Sequence, residues 1–296
     1  MPTKIDGIGT DVLIVARSRP KARTVSIRAD SRAPILNVRE LWAYREVFYA
    51  LVKREIKVRY AQTMVGIGWA VLQPVLTTIV LTVLAGRWMR VPVRGVPYSV
   101  FALAGTVPWI YFTHVITRSS ICLMNNNGLL SKAYFPRLLL PIAAAAGGLV
   151  DLAVTIVILG LLMAFHRTAP GIDILWLPLS LLLLTSVALA TGVWIAVLNL
   201  YHRDVAHALP FATQMLFFMT PVAYSSGLVP HSWRLLYSLN PMTGVIECFR
   251  RSLFRTPMAL SPLQLGVSLV AGAVLLATGL FYFSRKEKTM ADVGDA

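Results

Sequence analysis

The sequence predicts an all-α polytopic membrane protein with six transmembrane helices, an N-terminal interfacial amphipathic helix and short re-entrant helices on the external side. Two observations on composition predict the class. The 296 residues are 56% hydrophobic and only 14% charged, against about 25% charged in an average soluble domain. Mean hydropathy is +0.67. A third observation is a series of apolar runs of about 17–25 residues, the length that a helix needs to cross about 30 Å of hydrocarbon.

Basic residues are concentrated near the N-terminus. Lys and Arg outnumber Asp and Glu by 28 to 13, and thirteen of them lie in residues 1–60, before the first long apolar run. Such a concentration indicates either nucleic-acid binding or a tail at an anionic membrane surface, where each cation adds about 1 kcal/mol. Because predicted spans follow this region, we favour membrane lipids as its partner and expect no binding of nucleic acid. Residues 1–37 are therefore predicted to form a basic cytoplasmic tail.

Residues 38–60 predict an amphipathic helix. Apolar and aromatic side chains such as Leu41, Tyr44 and Leu51 recur at helical spacing, and cations fall on the opposite side. This pattern is typical of a helix at the membrane interface, although a soluble amphipathic helix has the same periodicity. Direct continuation into a span favours the interface. The residues assigned to this helix are Trp42, Arg45, Phe48, Lys53, Arg54, Lys57 and Arg59.

Six apolar segments predict a transmembrane domain over residues 64–284, with 285–296 as a cytoplasmic C-terminus. Cations just before the first segment predict that both termini lie on the cytoplasmic side of the plasma membrane. Pro210 and Pro221 closely bracket the fifth segment. After it, two apolar pieces too short to span are broken at Asn240-Pro241 and predict two external helices over about 226–257. The spans are placed near 64–86, 98–117, 139–165, 174–199, 208–224 and 262–283.

Motifs for nucleotide hydrolysis and for common hydrolytic chemistry are absent. No Gly-Lys pair occurs, so no Walker A loop is present to hold nucleotide phosphates, and no H-E-x-x-H or G-x-S-x-G motif is found. Cys122 and Cys248 are far apart and lack metal-ligand spacing. We expect no catalytic residue, no metal site and no cofactor in this chain, so ATP hydrolysis would belong to a separate subunit.

One ionisable residue lies deep inside a predicted span. Asp151 is about twelve residues into the third segment, where a charge is costly and is a functional candidate. It either faces a wet cavity or pairs with a cation such as Arg118 or Arg59. A proton relay would need further ionisable groups at similar depth, which favours the structural pair.

Two further groups of residues predict contacts with ligands or partners. Aromatic clusters in the second and fifth spans suit either an interfacial belt or stacking against sugar rings in a translocation path. The loop at about 125–137 carries apolar residues rimmed by charge, which marks a partner site and predicts a short docking helix. The path candidates are Trp109, Tyr111, Phe112, Phe217, Phe218 and Tyr224. The docking candidates are Leu129, Leu130, Lys132, Tyr134, Phe135, Pro136 and Arg137.

Several stretches together resemble the permease subunits of ABC exporters for O-antigen, capsule and teichoic-acid polymers, over about residues 38–284. The stretches are REIKVRYAQTMVGIGWAVLQP at 54–74, GTVPWIYF at 105–112, LLSKAYFPRLLLP at 129–141, YHRDVAHALPF at 201–211, TPVAYS at 220–225 and LNPMTGVIECFR at 239–250. The resemblance implies a homodimer with two ATP-binding subunits, which hold ATP and Mg, and a lipid-linked glycan as substrate. It identifies the docking helix as the coupling helix and 226–257 as external gate helices. The gate residues so implied are Trp233, Tyr237, Asn240, Pro241 and Phe249.

Other functions fit parts of the pattern. An ABC permease for drugs or simple lipids shares the six-span plan, but the FPRLLLP loop and the aromatic second span favour polymer export. A membrane enzyme acting on polyprenyl-linked sugars would call for clustered carboxylates. The acidic residues here are scattered along the sequence. A standalone ion-coupled transporter would call for more buried ionisable groups.

Overall fold

The structure is a computed structural model that describes residues 38–60, 68–93, 95–126, 135–254 and 259–287. The predicted tail at 1–37 lies outside the described residues. Within these ranges every regular element is helical, which confirms the all-α class. The helices are α1 Val38–Ala43, α2 Arg45–Tyr60, α3 Gly68–Leu81, α4 Tyr98–Cys122, α5 Leu139–Phe165, α6 Leu177–Tyr201, α7 Asp204–Met219, α8 Arg234–Tyr237, α9 Pro241–Leu253 and α10 Pro262–Glu287.

Five helical stretches in the described part of the chain are long and apolar enough to cross a membrane. α3 continues as a π-helix over Thr82–Trp88, and α6 is preceded by a 3-10 turn over Ile172–Trp176. α5 covers the same residues as the predicted third span. The five stretches are Gly68–Trp88, Tyr98–Cys122, Leu139–Phe165, Ile172–Tyr201 and Pro262–Lys286.

α7 corresponds to the predicted fifth span but is shorter than predicted. It ends at Met219 because Thr220 is extended and is followed by Pro221, which cannot donate a helical hydrogen bond. Sixteen residues rise about 24 Å, which falls short of about 30 Å of hydrocarbon. The six-span count therefore stays a prediction.

α4 lies at the centre of the bundle and packs against α3, α5, α6 and α9. In the apolar 18-residue stretch of α4, 78% of the residues are buried, against 17% in the corresponding stretch of α10, yet α4 is the least apolar of the five candidate spans. Its hydroxyls find partners inside the protein. Thr106 donates to the Ala102 carbonyl at 2.9 Å, and Tyr111 donates to the Ala145 carbonyl at 3.1 Å. A helix with polar side chains is thus placed where protein, rather than lipid, surrounds it.

Small side chains allow α4 and α6 to approach closely. Gly192 of α6 faces Ser119 of α4, and a Cβ at Gly192 would lie 2.7 Å from the Ser119 hydroxyl. Such small-residue contacts are typical of packed membrane helices. Asn199 then joins three elements, since its side chain donates to the Ser120 carbonyl at 2.7 Å and accepts from the Ala206 N–H at 2.9 Å.

α2 directs its apolar face at the bundle. Leu51 is 4% exposed and packs with Phe135, Leu140 and Val197, and Phe48 lies against the same cluster. The side chains that recur at helical spacing therefore contact protein. In α1 and α2 the exposed aromatic residues are Trp42 and Tyr49.

Two helices follow α7 on either side of Asn240-Pro241, the short α8 and the longer α9, and the assignment of 226–257 to external re-entrant helices stays a prediction. Asn240 caps α9 by accepting a hydrogen bond from the Met242 N–H at 3.0 Å, and Pro241 occupies the first helical turn. The Asn240 amide also donates to the Thr220 hydroxyl at 2.9 Å. α9 is buried along most of its length against α4, α6 and α10.

Candidate functional site

Charged side chains from three helices meet where α2 packs against the bundle. Glu55 and Arg59 lie one turn apart on α2, Arg118 belongs to α4, and Asp151 belongs to α5. Arg118 donates twice to one Glu55 oxygen, from Nε at 3.0 Å and from Nη2 at 2.6 Å. These four residues and His114 are called the α2-end cluster. The Glu55–Arg118 pair fastens α2 to the central helix.

Asp151 is neutralised within the same cluster. It is 4% exposed and forms an ion pair with Arg59, which is one of the two pairings that the sequence predicts. Arg59 also donates to the His114 ring at 2.5 Å. Gly148 makes room for that ring, because a Cβ there would lie 2.7 Å from its Cδ2 atom. The charge inside the span is thus tied to α2 and not exposed to lipid.

Only part of the predicted docking segment at 125–137 belongs to the described residues. Leu129, Leu130, Lys132 and Tyr134 fall outside the described residues. Phe135 is 5% exposed and packs in the same apolar cluster as Leu51 of α2, while Pro136 and Arg137 are half-buried. The end of the segment therefore contacts α2, and its role in docking stays a prediction.

The aromatic path candidates separate into two groups. Trp109, Tyr111 and Phe112 of α4 are at most 7% exposed and are packed among the helices of this chain. Trp109 meets Phe217 of α7 edge-on, with ring centroids 5.7 Å apart. Phe218 is 63% exposed. The first group joins α4 to α7, and the second belongs to a surface.

That surface is the outer side of α7. Leu209 is the buried residue of this helix, and exposed apolar and aromatic side chains follow one another along it. Near its end, Tyr224 donates to the Phe218 carbonyl at 2.9 Å and accepts from the Tyr237 hydroxyl at 3.1 Å. This exposed α7 face can contact lipid, a second protein copy or a ligand. Its large exposed side chains are Phe211, Met215, Phe218 and Met219.

Arg250 of α9 organises the opposite end of the bundle. It is 4% exposed and donates to the carbonyls of Pro221 at 2.6 Å and Val222 at 2.7 Å, and more weakly to that of Phe101 at 3.3 Å. Its guanidinium also lies 3.6 Å over the Phe101 ring. These residues and Glu247 are called the α9-end cluster.

The charge of Arg250 persists despite its burial. Burial lowers its pKa to about 10 and the nearby Glu247 carboxylate opposes that lowering, so Arg250 stays protonated near neutral pH. Glu247 itself accepts a hydrogen bond from the Ser226 hydroxyl at 2.7 Å. The cluster therefore joins α4, α9 and the chain after α7 through hydrogen bonds from a protonated guanidinium.

The predicted gate residues occupy different environments in this region. Trp233 is 60% exposed, Tyr237 is half-buried, and Phe249 is 1% exposed in the core. Asn240 and Pro241 form the cap of α9 described above. Sequence reasoning missed Arg250 as a site residue, although Glu247 and Arg250 stand one turn apart in the same short segment and could have marked a buried polar pair.

Comparison with known proteins gives a family and several relatives. The ABC-2 type transporter family matches residues 46–254, from α2 to the end of α9. The O-antigen export system permease protein RfbA of Myxococcus xanthus is 27% identical over 85% of this chain and 96% of its own length. The protein of the same name from Klebsiella pneumoniae is 24% identical over 84% and 95%. The polysialic acid transport protein KpsM of Escherichia coli is 25% identical over 81% and 93%.

Proposed function

This chain belongs to the ABC-2 type transporter family, and we propose that it is the permease subunit of an ATP-driven exporter that moves a lipid-linked polysaccharide out of the bacterial cytoplasm. The observation that carries the proposal is the set of relatives named for O-antigen export and polysialic acid transport. Each of those cited matches this chain over more than four fifths of its length. The substrate class common to those names is a long bacterial glycan.

We place this chain in a homodimer that binds two ATP-binding subunits, which hold ATP and Mg. The single copy leaves α7 with one buried residue, and a second copy would cover part of that helix. α7 together with the residues up to Tyr224 would be the fifth of six spans, with both termini in the cytoplasm. Cations before the first span support this orientation.

The exposed α7 face is the surface that we assign to the translocation path. Phe211 and Phe218 present ring faces that can stack against the apolar C–H faces of sugars, and the exposed Gln214 lies between them in sequence. Trp109, Tyr111 and Phe112 are packed within the chain, so their part is to position α7 against α4. Helices α8 and α9 would close the external end of the path.

Coupling to the ATP-binding subunits is assigned to the segment 125–137 and to α2. ATP binding would push on both, and the α2-end cluster would carry the displacement into α4 and α5. Support comes from the Glu55–Arg118 and Arg59–Asp151 ion pairs, which join α2 to those two helices. Such coupling needs two arrangements of the dimer that the ATP-binding subunits and the substrate bias differently.

Depletion of this protein in its own host tests the function. We expect full-length lipid-linked polysaccharide to accumulate, as measured by mass spectrometry of the lipid extract, and to disappear when the wild-type chain is restored. Restoration with Phe218→Ala should leave part of the accumulated polymer, while Phe165→Ala, a change at a still more exposed phenylalanine outside α7, should clear it. A lipid extract unchanged by depletion would contradict polysaccharide export and favour a drug or a simple lipid as substrate.

A further inference from the structure

An elongated groove lies between α5, the start of α6 and α9, away from the exposed α7 face. Its volume is about 420 Å³, within the range of about 300–1,000 Å³ of small-ligand sites. One wall is a single face of α5, on which Ile156, Gly160 and Met163 recur every three to four residues, and Arg167 lines the groove just beyond the end of this helix. From Ile156 to Ala164 this helical wall is about 12 Å long. An apolar wall of that length suits part of an extended acyl chain.

The groove opens sideways onto apolar surface. Gly160 is exposed, and a Cβ built there meets no atom within 4 Å. Beside the opening, Val157 and Leu161 are 61% and 67% exposed on the same candidate span. In a membrane such a surface contacts acyl chains, so the opening faces hydrocarbon. On the other side Phe249 and Leu253 of α9 form the floor.

A cation stands at one end of the groove. Arg167 follows the end of α5 and is exposed, with the left-handed φ of 54° that non-glycine residues rarely adopt. Among the described residues, Arg167 makes no ion pair, and the acidic residue nearest in sequence, Asp173, is bound to Arg251 at 3.5 Å. The Arg167 guanidinium is thus available to an anionic ligand at the mouth of an apolar channel.

We propose that this groove binds one anionic phospholipid of the bilayer, with an acyl chain along α5 and the headgroup phosphate at Arg167. A guanidinium matches phosphate oxygens in a bidentate geometry, and the apolar wall matches the chain. A soluble anion would not need that wall, and a neutral apolar ligand would not need Arg167. A choline headgroup would place a second cation near Arg167 and Arg251, so phosphatidylglycerol is preferred over phosphatidylcholine. The site involves no residue of α7 and does not rest on the proposed function.

Filling the groove tests where the lipid binds. The full-length chain in detergent is titrated with phosphatidylglycerol, and bound lipid is counted by native mass spectrometry. Gly160→Phe should weaken binding of one lipid per chain at least tenfold, with Gly160→Leu as a smaller change if the first variant folds poorly. Gly266→Phe is the matched control, because a Cβ at Gly266 of α10 also meets no atom within 4 Å. Equal binding by Gly160→Phe and Gly266→Phe would overturn the site.

Removing the cation tests the headgroup. Arg167→Gln should weaken phosphatidylglycerol about tenfold and leave phosphatidylcholine unchanged, since a charge-assisted hydrogen bond contributes about that factor. Arg251→Gln, whose partner is Asp173, should change the preference less. An unchanged preference in Arg167→Gln would overturn headgroup recognition. Tighter binding of a polyprenyl phosphate than of phosphatidylglycerol would overturn the proposal and identify the export substrate as the occupant. A change of oligomer mass in Gly160→Phe would overturn it and identify a second copy of the chain as the occupant.

Discussion

Arginine holds both ends of the bundle together, but its partners differ between the two ends. In the α9-end cluster Arg250 donates to backbone carbonyls of Pro221, Val222 and Phe101, and its side chain is almost completely buried. In the α2-end cluster Arg59 and Arg118 meet the carboxylates of Asp151 and Glu55, and both arginine side chains are about 30% exposed.

The difference follows from what each end has to satisfy. Pro221 prevents α7 from continuing, so the carbonyls at this point have no helical N–H donors. The buried Arg250 guanidinium donates to them instead. At the other end the Asp151 carboxylate lies within a span and needs a cationic partner. The arginines there also attach a separate helix, α2, to the bundle. We infer that the α9 end is a fixed part of the fold, whereas the α2 end is a joint whose contacts can be exchanged.

The largest expected effect is that of Arg250→Leu. Several carbonyls and Glu247 would lose a buried cationic partner, so we expect the free energy of unfolding to fall by about 4 kcal/mol. Denaturant titration in detergent measures it. Arg251→Leu is the control on the next residue, where loss of the partly exposed pair with Asp173 should cost about 1 kcal/mol. Similar losses in the two variants would contradict a fixed anchor at Arg250.

Breaking the Arg59–Asp151 pair of the α2-end cluster should lower the free energy of unfolding by less, and a second substitution should restore most of it. Asp151→Leu leaves Arg59 without its carboxylate, and we expect a loss of about 2–3 kcal/mol because Arg59 is partly exposed to solvent. Adding Arg59→Met should recover most of that loss, as is common when both members of a buried pair are replaced.

The double variant also separates stability from transport. If the α2 end is a joint, the double variant should fold like the wild type and still export more slowly. Export at the wild-type rate would show that the Arg59–Asp151 pair is structural alone.

Gly105→Ala tests how tightly the α9 end is packed. An added Cβ would overlap the Val222 carbonyl oxygen and lie 2.5 Å from Nη2 of Arg250, so we expect a loss of about 2 kcal/mol. Gly160→Ala, where a Cβ meets no atom within 4 Å, should instead be neutral or stabilise by about 0.5–1 kcal/mol. Thermal unfolding of the two variants compares them directly. An unchanged stability of Gly105→Ala would mean that the backbone at Pro221 and Val222 can shift to make room for the added Cβ.

The smallest effect is expected for the Glu55–Arg118 pair. A double-mutant cycle with Glu55→Gln and Arg118→Gln should give a coupling free energy of about 1 kcal/mol, since the pair has two hydrogen bonds to one carboxylate oxygen but is partly exposed. A coupling free energy larger than that of the Arg59–Asp151 pair would show that Glu55–Arg118 is the stronger of the two ion pairs in the α2-end cluster.

The sequence by itself determined which segments are helical and where several of them end. In hydrocarbon the backbone N–H and C=O groups must pair with one another, so a long apolar run forms a helix regardless of which neighbouring helices it contacts. The predicted 139–165 span accordingly coincides with α5. Local chemistry was equally sufficient at Asn240-Pro241, where a capping side chain and a proline mark the start of α9. Asp151 could be singled out because a charge in an apolar run is visible without a structure.

Tertiary structure alone decided which partner each of these groups meets. Asp151 could pair with Arg59 or Arg118, and the choice depends on how α2 is rotated about its axis, which periodicity leaves undetermined. The same holds for the aromatic residues, since Trp109 became buried and Phe218 exposed through the placement of α7 against α4. Arg250 was missed because its hydrogen-bond acceptors are backbone carbonyls, which every residue carries, and the one available signal was its spacing from Glu247. Helix formation is local, whereas these contacts are set by the packing of elements far apart in the chain.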